Sequence, residues 1–178
     1  IVVPHFFSAG LGLPDRDYYF NEDKKEHREK YLTYLQKCLK LYENKKYDLS
    51  FILNFETELA EKIYTNVERR KPEKRYNKLT LNEFKKQNNL DWDKFFKYNY
   101  KNIKYFIVDN PIFFIQLGKL FKNTSTENLK IILKTNIIST FSPYLSTEFY
   151  DNKFEFTRKF LAGQKNKKEL WKRGESFV

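Results

Sequence analysis

Two stretches of this chain, separated by the polar joint ENKKYD at 43–48, carry apolar side chains at the spacing of an α-helix. In the first, Tyr31, Leu35, Cys38, Leu39 and Tyr42 recur every three or four residues; in the second, Leu49, Ile52, Leu53, Leu59, Ala60 and Ile63 do so. A helix turning once per 3.6 residues gathers such positions on one face, which must then be buried. The spacing predicts a helix over about Asn21–Tyr42 and a second from Leu49 to about Asn66, packed as an antiparallel hairpin. Glu22 and Asp23 suit the positive end of the first helix. The 178 residues include only 5 Gly and 5 Pro, too few for an all-β sandwich with many tight turns. The expected class is mainly α, multi-helical, with a minor short-strand element. A hydrophobic content of 40%, led by 18 Phe and 13 Tyr, supplies a core and excludes a disordered chain.

The rest of the chain follows the same reading. IVVPHFF at 1–7 is β-branched and aromatic, and Pro4 restricts it to an edge strand or extended lead-in. The stretch 67–79 is basic, contains Pro72 and has neither period, so it is expected to be a linker. Thr80 and Glu83 form a capping-box signature for a short helix, and Asp91 is placed to cap another through 92–98. IKYFIV at 103–108 is the clearest strand. Asn110-Pro111 opens a helix to about Lys122, and Ser125 or Thr126 caps the next, with Leu129, Ile132, Leu133, Ile137 and Phe141 expected inward. Pro143 ends or kinks that helix. Ser146 opens a helix holding Phe149, Phe154 and Phe160, Gly163 caps its end, and a last helix begins near Lys167. The expected organisation is 1–66, then the linker 67–79, then 80–178.

The charge of +11 permits an acidic partner, but lysines are interleaved with Glu and Asp along every expected helix. Even the densest runs, 71–78 and 165–173, read as solvated faces, so no nucleic-acid partner is expected. No apolar window is long enough to span a bilayer. The chain has no methionine and begins at Ile1, which marks it as an expected piece of a longer protein.

The residues capable of chemistry are few and scattered. Cys38 stands alone, so it forms no internal disulfide and no cysteine metal site; on an apolar helix face it reads as a small buried hydrophobe. His5 and His27 lack the partners of a zinc pair, two histidines four apart with a glutamate between. Glu26 and Glu29 neighbour His27 in sequence but not on its helix face, so His27 is expected to be exposed. Cys38 lies eleven residues from His27, about 16 Å along a helix, too far for a nucleophile–base pair. No carboxylate has an evidently apolar setting. From spacing, the expected catalytic, metal-binding and substrate-binding residues within this chain are none, none and unknown.

A resemblance goes further. The corner GLGLPDRDYY at 10–19 closely resembles a signature of the neprilysin and endothelin-converting-enzyme family of zinc metallopeptidases. FETELAEKI at 55–63, ERRKPEKRYNKLTLNEF at 68–84, SPYLSTEF at 142–149 and GQKNKKELWKR at 163–173 are similar to further blocks, in the family's order. The resemblance implies a two-lobed peptidase in which a helical cap encloses a cavity and a thermolysin-like lobe holds zinc through H-E-x-x-H and a later glutamate. This chain would supply part of the cap and a crossing toward the catalytic lobe, its partner; the zinc motif would lie beyond it, leaving this piece inactive alone. The parent would hydrolyse short peptides. The alternatives are a non-enzymatic helical binding module of the same descent and a basic nucleic-acid-binding domain. Many secreted members carry a disulfide-bonded cysteine where this chain has Gly174, and others just after the paired tyrosines. Their absence favours a cytoplasmic or disulfide-free bacterial-type member over an animal ectodomain. Within the corner, Gly10 and Gly12 are expected to supply unusual backbone angles and Pro14 to fix the turn. Arg16 would pair locally or hold a neighbouring segment, and Tyr18 and Tyr19 would be buried with partnered hydroxyls.

Overall fold

The computed structural model describes residues 3–87 and 104–175. Strand β1 (His5–Phe6) leads through the glycine corner into α1 (Asp17–Phe20), a 3₁₀ turn (Glu22–Lys24) and the long α2 (Lys25–Glu43). Then come α3 (Ser50–Ala60), a 3₁₀ turn (Glu68–Arg70), α4 (Pro72–Arg75), β2 (Asn77–Leu79) and α5 (Leu81–Gln87). After β3 (Phe106–Val108) the chain is helical: α6 (Pro111–Asn123), α7 (Thr126–Phe141), a 3₁₀ turn (Ser142–Tyr144) and α8 (Thr147–Lys153). A π-helical stretch (Phe154–Phe160) and α9 (Leu170–Glu175) complete it. The mainly helical class with a minor strand element is what the periodicity predicts.

Local chemistry sets most boundaries. Asn44, at φ 52°, ends α2 in the left-handed conformation and donates its N–H to Lys40 O. The Thr80 and Glu83 box closes both ways: Thr80 N–H donates to Glu83 Oε2 at 2.7 Å, and Glu83 N–H to Thr80 Oγ1 at 3.2 Å. At the head of α6, Pro111 takes the first position while Asn110 Oδ1 accepts from Phe113 N–H. Ser125 Oγ caps α7 by accepting from Asn128 N–H, and Pro143 follows its end. Gly163, at φ 67°, closes the π-helical stretch as its N–H donates to Lys159 O.

Two hydrophobic clusters meet at α3. One gathers Leu13, Tyr19, Tyr31, Leu35, Cys38, Leu39, Ile52, Ala60, Ile138 and Phe156, and so joins the corner, α2, α3, α7 and the π-helical stretch. The other gathers Phe55, Leu59, Phe84, Phe106, Val108, Phe113 and Phe114 between α3, α5, β3 and α6. Helix α3 therefore presents Ile52 and Ala60 to one core and Phe55 and Leu59 to the other. Phe6 seals the second core, its ring 5.3–5.8 Å from those of Phe84, Phe106 and Phe114. Burying each such ring contributes about 1.5–3 kcal/mol.

The sheet has the order β1-β3-β2, with β1 parallel and β2 antiparallel to the central strand. His5 lies opposite Ile107 and Lys78 opposite the same residue from the other side. Strand β1 is an edge, as Pro4 requires.

Several expectations need correction. Helix α3 stops at Ala60 rather than near Asn66, although Ile63 beyond it is still buried. The stretch 67–79 is not irregular, since it holds a 3₁₀ turn, α4 and β2, whose pairing with β3 a polar three-residue strand does not announce. Tyr42 is exposed, not inward. The phase of α7 is shifted: Thr135 and Ile138 are buried, whereas Leu133, Ile137 and Phe141 are 54%, 57% and 52% exposed. The last helix begins at Leu170, not Lys167. The helix expected after Asp91 lies outside the described residues, as does the start of the 103–108 strand.

Candidate functional site

The corner GLGLPDRDYY turns around one buried carboxylate. Helix α3 points Glu56 inward, where only 3% of it is exposed. Its Oε2 accepts from Tyr19 Oη at 2.7 Å and from Gly12 N–H at 3.3 Å; its Oε1 accepts from Tyr31 Oη at 2.8 Å. Tyr19 Oη also accepts from Leu13 N–H at 3.1 Å. A single side chain thus fastens the glycine loop, α1 and α2 to α3. Each piece has a local cause: the α2 period brings Tyr31 to the core, and the turn of α1 brings Tyr19 beneath the loop.

Gly12 is required by proximity. A Cβ built there stands 1.9 Å from Tyr31 Oη and 2.3 Å from Cζ, inside any tolerable contact. Gly10 has the unusual backbone, at φ +103°, with open space around it. The expected freedom of the two glycines therefore divides, conformation at Gly10 and close approach at Gly12.

Electrostatically the node is a desolvated carboxylate held by donors. Burial pushes the Glu56 carboxyl above its ordinary value, against the lowering effect of the Tyr19, Tyr31 and Gly12 bonds. The same burial, with the Glu56 charge beside them, raises the phenols of Tyr19 and Tyr31, which stay protonated as donors. Sequence reasoning missed this group, having found no carboxylate in an apolar setting. Glu56 lies in the FETELAEKI block, and its position between Ile52, Phe55, Leu59 and Ala60 was the available signal. The arrangement binds segments together. It contains no nucleophile and no base beside one.

The other expected residues sit apart. Arg16 makes no ion pair with Asp15 or Asp17 among the described residues; its guanidinium lies 5.7 Å from the Phe20 ring, and its buried Nε has no hydrogen-bond partner there. Asp15 instead accepts from Asp17 N–H at 2.9 Å. Tyr18 is only half-buried, and its ring stands edge-on to His27 at 5.1 Å. His27 is not the exposed residue expected: it is wedged between Tyr18 and Phe160, whose ring is 4.9 Å away, with its Nδ1 buried. His5 is exposed on β1 and stacks on Phe7. Cys38 is fully buried; burial pushes its thiol up, and Sγ accepts from Asn152 Nδ2 at 3.2 Å. It is the small core residue the sequence implies. Gly174 lies exposed in α9.

Among the described residues no three His, Cys, Asp or Glu side chains converge. No described helix is long and apolar enough to cross a membrane. Several lysines are matched locally, as in Lys134–Glu43 at 3.0 Å and Lys74–Glu68 at 2.8 Å.

Comparison with known proteins gives this geometry its context. The N-terminal model of peptidase family M13 matches residues 2–178. An endothelin-converting enzyme homolog of Locusta migratoria is 29% identical over 182 residues, covering 92% of this chain and 25% of that protein. Endothelin-converting enzyme 1 of Cavia porcellus is 28% identical, covering 96% of this chain and 24% of its own length. Among solved structures, the zinc metalloprotease Zmp1 of Mycobacterium tuberculosis superposes with a TM-score of 0.89 in its inhibitor complex and 0.88 in its open state. Each of those matches covers 98% of this chain and 28% of Zmp1 at 24% identity, a likeness of fold. The chain thus spans about a quarter of the length of the relatives it matches.

Proposed function

The chain belongs to peptidase family M13, and on that premise we propose that it is an architectural part of a zinc metallopeptidase that hydrolyses short peptides. Its own contribution is to build and stiffen helical structure around the active cavity. The catalytic zinc and its ligands belong to the remaining polypeptide of the parent protein, where zinc would activate water for attack on the peptide carbonyl. The peptide and the catalytic lobe are the partners of this part. On this reading it falls into three stretches, with 67–79 joining 1–66 to 80–178. The observation that carries the proposal is the meeting of two family-like blocks on one carboxylate. GLGLPDRDYY and FETELAEKI, far apart in sequence, are joined by Gly12, Tyr19 and Glu56.

The fastening has the properties of a structural joint. Its carboxylate is sealed from solvent and saturated by donors, whereas a catalytic acid or base needs access to substrate. A buried, fully satisfied polar network stiffens the elements it links. Such a joint suits a wall that must keep its shape while peptides enter.

The test is peptide hydrolysis by the full-length parent protein. Cleavage of short peptides, abolished by a zinc chelator and restored by zinc, is expected. A zinc-loaded parent that binds peptides without cutting them would sink the reading in favour of a non-enzymatic module.

A further inference from the structure

The outer face of α7, beyond Lys130, exposes a row of large apolar side chains. Leu133, Ile137 and Phe141 stand one turn apart in a row and are 54%, 57% and 52% exposed; Leu145, 44% exposed, follows beyond the Pro143 turn. The opposite face is already occupied, because Thr135 and Ile138 are buried and Ile138 belongs to the core shared with α2. A helix at a protein surface keeps one face polar, and one that is apolar on both sides belongs between two layers. Helix α2 behaves as a surface helix should, with Lys25, Glu26, Glu29 and Lys30 outward. Helix α7 does not.

We propose that this face is where the rest of the parent polypeptide packs, so that α7 is enclosed on both sides in the whole protein. The proposal rests on the peptidase reading above, which makes this chain part of a longer protein. The chain spans 25% of the Locusta relative and 28% of Zmp1, so most of a relative's length lies outside it. The border of the face fits an apolar neighbour. Lys134 is matched by Glu43 at 3.0 Å, and its ammonium lies 6.0 Å from the Tyr42 ring, which is 61% exposed and widens the apolar area.

A second copy of the chain fits less well. The row from Leu133 to Phe141 runs about 12 Å along the helix, and a helix is about 10 Å wide. Even doubled to take in Tyr42 and Leu145, the footprint, on the order of 200 Å², is far below the roughly 800 Å² per partner of a stable complex. A neighbour on the same polypeptide loses little further translational freedom, so a small apolar face suffices to hold it.

Thiol labelling of the full-length parent tests this, with its reactive native cysteines replaced by serine. Ile137→Cys reports on the face, and Glu29→Cys, on the exposed polar side of α2, gives the reference rate. The Ile137→Cys thiol is expected to react at least about tenfold more slowly at every protein concentration, and equally fast in denaturant. Should Ile137→Cys fail to fold, Leu133→Cys reads the same face. Equal rates in the native protein would overturn the proposal, and so would protection that grows with protein concentration, the mark of a second copy. Zinc-dependent peptide hydrolysis by the same preparation separates the two readings. Hydrolysis with free labelling removes the interface alone, and protection without hydrolysis leaves the interface standing while removing the peptidase.

Discussion

Replacing Gly12 with alanine adds one methyl group, and the structure states what it meets. The new Cβ falls 1.9 Å from Tyr31 Oη, 2.3 Å from Cζ and 2.7 Å from Cε2. Moving the hydroxyl alone does not help, because the ring itself is too close. Tyr31 must swing away, yet its ring is stacked 5.8 Å from Phe156 and its hydroxyl holds Glu56 Oε1 at 2.8 Å. Overpacking of this kind costs about 1–3 kcal/mol. Losing a hydrogen bond to a charged group adds about 1.5–3 kcal/mol. Together they give about 2.5–6 kcal/mol, which at tenfold per 1.4 kcal/mol opens the corner roughly sixty-fold to on the order of ten-thousand-fold more often. Native-state amide exchange in the full-length protein reads this directly, at the amides of residue 12 and Leu13, which donate to Glu56 and Tyr19. Gly10→Ala is the control. It meets no atom within 4 Å and strains only the backbone at φ +103°, a cost of about 1–2 kcal/mol. Equal exchange in Gly12→Ala and wild type, or a larger effect from Gly10→Ala, would refute the close-approach argument.

Three further outcomes are expected. Burial raises the Glu56 carboxyl above its ordinary value of 4.5, so the folded state holds the proton more tightly than the unfolded one. Stability should therefore fall as pH rises above about 4.5 in wild type relative to Glu56→Gln, and parallel pH–stability curves from denaturant unfolding would contradict this. Glu68 is the opposite case. Bonds from Lys74 and Thr65 lower its carboxyl to about 2, so their hold on the 65–74 loop is present above the ordinary 4.5 and lost as pH falls through about 2. A carboxylate titration by NMR checks it, and a midpoint near the ordinary value would refute it. Asn110→Ala should cost about 2–3 kcal/mol, because it removes the α6 cap and leaves Lys62 O without its donor from Asn110, a side chain with no exposed surface. Unfolding within a few tenths of wild type would contradict that reading.

What the sequence made legible was local. Asn110-Pro111, Ser125, Pro143 and Gly163 act within one turn of themselves, so helix ends follow from their chemistry. The period of α2 was readable because its polar and apolar faces are distinct. Helix α7 lacks that contrast, with apolar residues on both sides, and its phase was fixed only by α2 packing against Ile138. Strand β2 exists because β3 pairs with it, which three residues reading Asn-Lys-Leu do not reveal. His27 reads as a solvated residue in the sequence because Phe160, which covers it, is more than a hundred residues away. The family-like corner was visible as a motif, but its mechanism was not. Arg16 is the residue expected to pair locally or hold a neighbouring segment, whereas the fastening is made by Gly12, Tyr19 and Tyr31 on Glu56. A carboxylate among apolar neighbours on a helix face looks like a pattern break until its three donors are in place.

The most direct test of an architectural role is the Glu56→Gln variant of the full-length protein, measured for thermal stability, zinc content and peptide turnover per folded molecule. The account predicts a lower melting temperature with zinc content and turnover unchanged at temperatures where the variant is folded. A variant that melts like wild type but loses zinc or turnover would contradict it, and would move Glu56 from the framework of the protein into its chemistry.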